Sequence, residues 1–279
     1  MRYTIQNEAL LAEVDDLGAE LRILRTKADG HDFLWCGDPA MWGRVAPVLF
    51  PFVGGLKDDS FKYQNKKYTM QKHGFARKTV FSLSEQTAES LVMTLTDSPE
   101  TMEGFPFPFR LDVRFTLEGG SLTAAHTVTN TGGAEMWFSL GAHPSFACDL
   151  GDVLRFEKAE TLDAYRLEND LLTAPELFLN GSDAWRIQAD SFLADAQILE
   201  NPSSRSITLE RQNGRGVRFG FNTPYLGIWA KPGAPYVCLE PWFGVDDHPD
   251  HNGELTAKKG IQRLAAGECL TLTYTIETL

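Results

Sequence analysis

Apolar and polar residues alternate with a period of two through most of this chain, and that pattern limits its fold more than anything else in it. In RLDVRFTLEGG, residues 110–120, Leu111, Val113, Phe115 and Leu117 share one face, and Gly119-Gly120 makes a turn. SLTAAHTVTNTGG alternates again up to a second glycine turn. Ile207 and Leu209 precede Asn213-Gly214, and Val217, Phe219 and Phe221 follow it. Asn-Gly between alternating runs is the strongest short-range hairpin signal. Near the C-terminus Leu270, Leu272, Tyr274 and Ile276 alternate with threonines. Helical spacing is scarce, and the best pieces run from Asp38 to Arg44 and from Ala174 to Leu177. Strands at this spacing joined by tight turns predict an all-β fold, a large antiparallel β-sandwich with few short helices. No proline- or serine-rich linker and no internal repeat interrupts the chain, so residues 1–279 are expected to form a single domain.

Composition narrows the partners. Apolar residues make up 43% and charged residues 23%, enough to bury a real core. With 38 acidic against 26 basic residues the formal charge is −12. Such a surface gains nothing from counterion release on nucleic acid and repels an anionic membrane. Neutral or cationic small molecules are the expected ligands. The opening MRYTIQNEALLAEVDD lacks an apolar run of signal-peptide length, and no stretch approaches 18 apolar residues, which predicts a cytoplasmic protein. Cys36, Cys148, Cys238 and Cys269 are scattered without a CxxC pair and are expected to be free thiols.

Three segments carry more chemistry than a scaffold needs. YVCLEPWFG reads as a buried strand in which Tyr236, Cys238 and Glu240 share a face and Pro241 ends regular pairing. A carboxylate in an apolar run is costly unless it is paired or used. Partial burial raises its pKa, which suits a general base near neutrality; a structural salt bridge to Lys231 or an arginine is the plainer reading. The preceding YLGIWAK joins through PGAP and is expected to lie alongside, offering Trp229. In EMWFSLGAHPSFAC, alternation places Trp137, Ser139, Gly141 and His143 on one face, a poor core but a good floor for a polar ligand. KHGFARK sets His73 and Arg77 around a glycine and an aromatic, a pattern that a simple strand-end turn would also satisfy. DDHPDHNGE holds Asp247, His248, Asp250 and His251, but its Pro, Asn and Gly content marks a mobile surface loop, and no metal is expected there. With no GxSxG, P-loop or GxGxxG, nucleophilic and nucleotide-cofactor chemistry lack support, leaving general acid–base chemistry on a neutral polyol.

Together PVLFPFVG, KHGFAR, GAHPSF, YLGIWAKPGAPYVCLEPWFG and KKGIQRLAAGE resemble the aldose 1-epimerase (galactose mutarotase) family, in its LacX-like branch. They cover nearly the whole chain in order. The resemblance implies a galactose mutarotase-like β-sandwich with a sugar in a concave groove and no cofactor. It implies Glu240 as general base, His143 as general acid, and His73 as the second histidine that holds the sugar. Asp195 falls where the family carries an aspartate for sugar hydroxyls. Arg77 and the aromatic faces of Phe75, Trp229 and Trp242 are the further expected sugar contacts. The implied substrate is a free hexose such as galactose or glucose.

One position departs from the pattern. The branch reads FPxVGRL where this chain has FPFVGGL, so Gly55 stands where a sugar-contacting arginine is expected. A charge-assisted bond of that kind contributes roughly 1.5–3 kcal/mol. Arg77, Arg44 and Lys57 are the candidates to replace it. Two other readings stay open beside the enzyme: a sugar-binding or sensing protein without turnover, and an epimerase of a phosphorylated or otherwise modified sugar.

Overall fold

The computed structural model describes all 279 residues. Every pair of named strands in it is antiparallel, and fifteen strands belong to one sheet. The sheet path begins at Val48–Leu49 and runs through Leu140–Ala142, Tyr236–Phe243, Tyr225–Trp229 and Gln197–Glu200. Val153–Tyr165 then crosses to the second half: Ala164 and Tyr165 pair with Leu199 and Ile198, whereas Val153–Phe156 pair with Glu210–Ile207. From there the path passes through Ser206–Glu210, Val217–Phe221, Cys269–Thr278, Ser121–Asn130, Phe109–Glu118 and Ser90–Thr96 to Ser82–Gln86. The two halves face each other. Phe50, beside the first strand, packs on Phe109 near the far end at 4.8 Å, and Phe146 packs on Phe219 at 5.8 Å. That is a β-sandwich closed over one apolar core, with a separate three-stranded sheet, Arg2–Gln6, Leu10–Asp15 and Glu20–Thr26, at the N-terminus.

Alternation predicted these strands because a face turned to the core must be apolar. Leu111, Val113, Phe115 and Leu117 are buried and their neighbours are not. Asn213-Gly214 lies in the turn joining Ser206–Glu210 to Val217–Phe221, with Gly214 at φ +77°. In the last strand Leu272, Tyr274 and Ile276 are buried, while Leu270 at its start is only partly so.

Three local expectations fail. Asp38–Arg44 is a single turn, not a helix: the amides of Met41 and Trp42 both donate to the Asp38 carbonyl, and nothing extends the ladder. Glu176–Arg186 is an extended strand paired with Val153–Tyr165, so no helix forms at Ala174–Leu177. The α-helix lies at Pro99–Gly104, where Ser98 and Thr101 form a capping box and proline takes the first position. Pro241 does not end its strand, which runs on to Phe243. On one side that strand pairs first with Ser145–Ala147, opposite Cys238–Tyr236, and then with Leu140–Gly141, opposite Phe243–Trp242. Proline falls in the gap between those two partners, where a missing donor costs least.

Candidate active site

Tyr236–Phe243 is a central strand with neighbours on both sides, so nearly all of it is buried, and Glu240 is only 2% exposed. Gly227 lies opposite Glu240 on the adjacent strand. Glycine there leaves room for the Trp242 ring, because a Cβ at Gly227 would come within 2.8 Å of it. On the other side the chain breaks between Leu140–Ala142 and Ser145–Ala147, and His143 occupies the break. Its Nε2 lies 3.1 Å from Glu240 Oε2. The two atoms touch without hydrogen-bond alignment, and Oε2 has no partner. Acid and imidazole, drawn from segments a hundred residues apart in the chain, meet at one point.

That point is the floor of a cavity of about 240 Å³. Glu240, His143, His73, Arg77, Asp195, Trp229 and Trp242 all line it, as expected from the sequence. Trp42, Lys72, Leu167 and Ala196 line it too. The His143 ring lies 4.9 Å from Trp42 and 5.7 Å from Trp229, so indole faces wall one side. His73 sits at φ +67° and accepts the Gly54 amide on Nδ1 at 3.1 Å, which leaves Nε2 to carry the proton as a donor. Arg77 donates to the Lys72 carbonyl at 2.7 Å while its Nε–H has no partner.

Phe75 does not belong to this site. Its ring packs on Phe50 and Phe109, 6.0 Å from each, and it faces a separate open groove of about 750 Å³. That groove is larger, but its lining from Asp59 to Gly104 holds no histidine and no acid–base pair, so the smaller cavity is the candidate site. The expected floor of Trp137, Ser139, Gly141 and His143 also reduces to His143. The Ser139 amide donates to Pro51, which splits the run into two short strands and resets the alternation. Lys231 forms no bridge with Glu240, because its ammonium donates to the Met41 carbonyl.

Electrostatics follow burial. Desolvation holds Glu240 well above the ordinary carboxyl range; Lys72 opposes this, while Asp246 and Asp195 add to it. The Trp242 indole N–H also draws the Glu240 pKa slightly down, although it is not aligned for a hydrogen bond. Desolvation lowers His143 to about 3 and drives His73 well below its usual value, with nearby cations adding to both. Burial therefore favours a carboxylic acid beside a neutral imidazole.

His143, Cys238 and Glu240 also offer donor atoms all within 4.8 Å of one another, the set that could close around a metal ion. Burial keeps the Cys238 thiol protonated, and a thiol must ionise to ligate. The DDHPDHNGE segment is not a mobile surface loop in its first half. Asp246 and Asp247 are buried; Asp247 binds Lys258 at 2.8 Å, and Asp246 accepts the Gly55 amide at 2.7 Å. A carboxylate already neutralised by a buried ammonium is not free for a metal.

Sequence reading missed Trp42, Lys72 and Asp246 as neighbours of the acid–base pair. Lys72 was within reach, since it directly precedes His73; Trp42 and Asp246 carry no local signal. Of the cations expected to replace an arginine at Gly55, Arg44 bridges Glu20 at 3.0 Å and Lys57 donates to the His251 carbonyl at 3.2 Å. Only Arg77 reaches the cavity.

Adjoining acid and base, polar groups around them for hydroxyls, and indole faces for C–H surfaces are what an enzyme that isomerises a sugar requires. The chain belongs to the aldose 1-epimerase family, whose family model matches residues 1–273. It is 30% identical to the plasmid form of Protein LacX from Lactococcus lactis over 299 aligned positions that span all of both chains. Two solved structures superpose closely. A galactose mutarotase related enzyme from Lactobacillus acidophilus has 30% identity and a TM-score of 0.94, covering 100% of this chain and 97% of that one. A galactose mutarotase-like protein from Lactobacillus casei has 28% identity and a TM-score of 0.94, covering 100% of both. The family is one of isomerases that act on small sugars.

Proposed function

We propose that this protein interconverts the α and β anomers of a free hexose, galactose or glucose, by general acid–base ring opening without a cofactor. The 3.1 Å contact between His143 Nε2 and Glu240 Oε2 at the floor of a cavity carries the reading. Mutarotation moves one proton from the anomeric hydroxyl O1 to the ring oxygen O5, two oxygens bonded to the same carbon. A base and an acid that share one approach to that carbon can do both. Residues 1–279 act as one domain in this reading, supported by a core cluster that runs from Ile5 to Ile276. The four free thiols fit a cytoplasmic setting.

The pair works with a single proton. Hydroxyl donors on a bound sugar favour a charged carboxylate, as Lys72 does; Lys72 opposes charge on His143, and the carboxylate 3.1 Å away favours it. The proton then passes to His143. The Glu240 carboxylate takes the O1 proton and the imidazolium gives its proton to O5. The C1–O5 bond breaks with its electron pair moving to O5, and C1=O1 forms. What remains is the carboxylic acid and neutral imidazole that burial already favours. Rotation about C1–C2 presents the other carbonyl face, and the reverse transfers close the ring as the other anomer. His73 Nε2–H and Asp195 hold hydroxyls, while Trp42, Trp229 and Trp242 supply faces for C–H groups.

Glu240→Gln and His143→Asn are each expected to lower catalysed mutarotation by about 10²–10⁴-fold, followed by polarimetry or NMR exchange. Unchanged rates in both would remove the proposed roles. A sugar-binding protein without turnover is the second reading, favoured by the glycine at Gly55. Saturable hexose binding with no rate above buffer would establish it. Phosphorylated sugars are disfavoured, because Lys72 is paired with Asp170, and Asp195 and Asp246 lie close by. Faster turnover of a hexose 6-phosphate than of the free hexose would reverse that ranking.

A further inference from the structure

We propose that Lys72, held at the cavity by Asp170 across the bare backbone of Gly55, is the cation that grips the sugar in place of an arginine at position 55. The inference rests on the reading of this cavity as a sugar site. A side chain at Gly55 has no room: its Cβ would lie 2.7 Å from the Asp170 carbonyl oxygen and 3.1 Å from the Asp170 Cβ. Asn169 and Asp170 form the tip of a hairpin between Leu167–Glu168 and Leu171–Leu172, both at positive φ. The hairpin is anchored from behind, where the Leu172 amide donates to the Asp247 carbonyl at 2.9 Å. Leu167, at its start, lines the cavity. The tip therefore fills the space an arginine would need, and its carboxylate draws in the Lys72 ammonium.

Lys72 reaches the sugar-facing side from the same loop that presents His73. It lines the cavity with Glu240 and His143, and its charge acts on both. An ammonium has three donors, and Asp170 holds it without consuming them all. Asp170 is the one hydrogen-bond partner of the Lys72 Nζ, and Asp195, on the cavity lining, is near enough to act on its charge. One residue then does two things: it donates to sugar hydroxyls and it favours the ionised form of Glu240. Besides Lys72, Asp246, Asp195 and the Trp242 indole act on the Glu240 charge, and His143 and Cys238 stand beside it.

Lys72→Met and Lys72→Arg, assayed in the full chain beside wild type, separate the possibilities. Lys72→Met is expected to raise KM for the hexose by about 10- to 100-fold, the loss of one charge-assisted bond. Its pH profile of kcat/KM should move upward as a whole, since the lost cation lowered the pKa of both Glu240 and His143. Lys72→Arg should restore most of both, and a normal melting temperature shows that the variants are folded. Wild-type turnover with an unaltered KM and pH profile in Lys72→Met overturns the role of Lys72 and leaves the epimerase reading intact. Calorimetric hexose binding without turnover, lost in Lys72→Met, overturns the epimerase reading and supports the contact. Absence of both binding and turnover in wild type overturns the two together.

Discussion

Burial drives acids and bases in opposite directions, and it acts both on the Glu240–His143 pair and on a histidine outside the cavity, His126. At the site, desolvation raises Glu240 and lowers His143, so the pair gains a second proton only in strong acid and loses its only one only well above the ordinary carboxyl range. The proposed mechanism thus predicts a kcat/KM that falls on the acid side as the pair takes up a second proton and on the alkaline side as it loses its only one. His126 bears the same desolvation without a role. It is 1% exposed, packs against Tyr274, and has no partner for either ring nitrogen. Its folded pKa falls to about 3, so the unfolded chain binds the extra proton. Stability is therefore present above the unfolded histidine value and lost as pH falls through it, at roughly 1.4 kcal/mol per pH unit. His126→Leu is expected to flatten that loss between pH 7 and pH 5 relative to wild type, read by urea midpoints at each pH.

Strands, in turn, set where the reactive groups stand. Tyr225–Trp229 and Tyr236–Phe243 pair in a register that opposes Gly227 to Glu240 and Tyr225 to Trp242. The absent side chain at Gly227 is the space Trp242 occupies beside the carboxyl. Gly227→Ala would drive a methyl to 2.8 Å from that ring. The variant is expected to lose about 1–3 kcal/mol to overpacking. In the proposed enzyme it would also lose about tenfold or more in kcat/KM through the displaced indole, measured by mutarotation and by thermal unfolding of the same sample. Glycine at Gly55 works the same way, since it admits the 167–172 hairpin to the cavity rim.

Across the whole molecule, the 167–172 hairpin beside the cavity hangs on a buried ion pair. Lys258 donates to Asp247 Oδ1 at 2.8 Å and to the Val245 carbonyl at 2.7 Å. Asp247 also accepts the Lys57 amide, and its backbone carries Leu172 and Gly55. Removing one partner of a buried pair leaves a charge uncompensated and costs roughly 3–5 kcal/mol. Lys258→Met is expected to lower stability by that amount in denaturant unfolding. It should also loosen the 167–172 hairpin, detected as faster amide hydrogen exchange at Leu172.

Alternation, turn glycines and the Asn213-Gly214 pair determined by themselves that this chain would form antiparallel strands, because a strand that buries one face must be apolar at every second residue. The motifs around His143 and Glu240 were legible too, since each places a polar group on a strand face where packing does not call for one, whereas His73 was given a role only by the family resemblance of its motif. Phe75 stood in such a motif yet packs among phenylalanines, because the backbone on either side of Gly74 turns the two neighbours to different cavities. The sequence could not say that Trp42, Lys72 and Asp246 surround the pair, nor that Asp170 fills the room above Gly55. Those depend on strands meeting in an order unrelated to their place in the chain. Only the folded sheet brings Glu240 and His143 within 3.1 Å, and only its burial sets the protonation that the proposed chemistry uses.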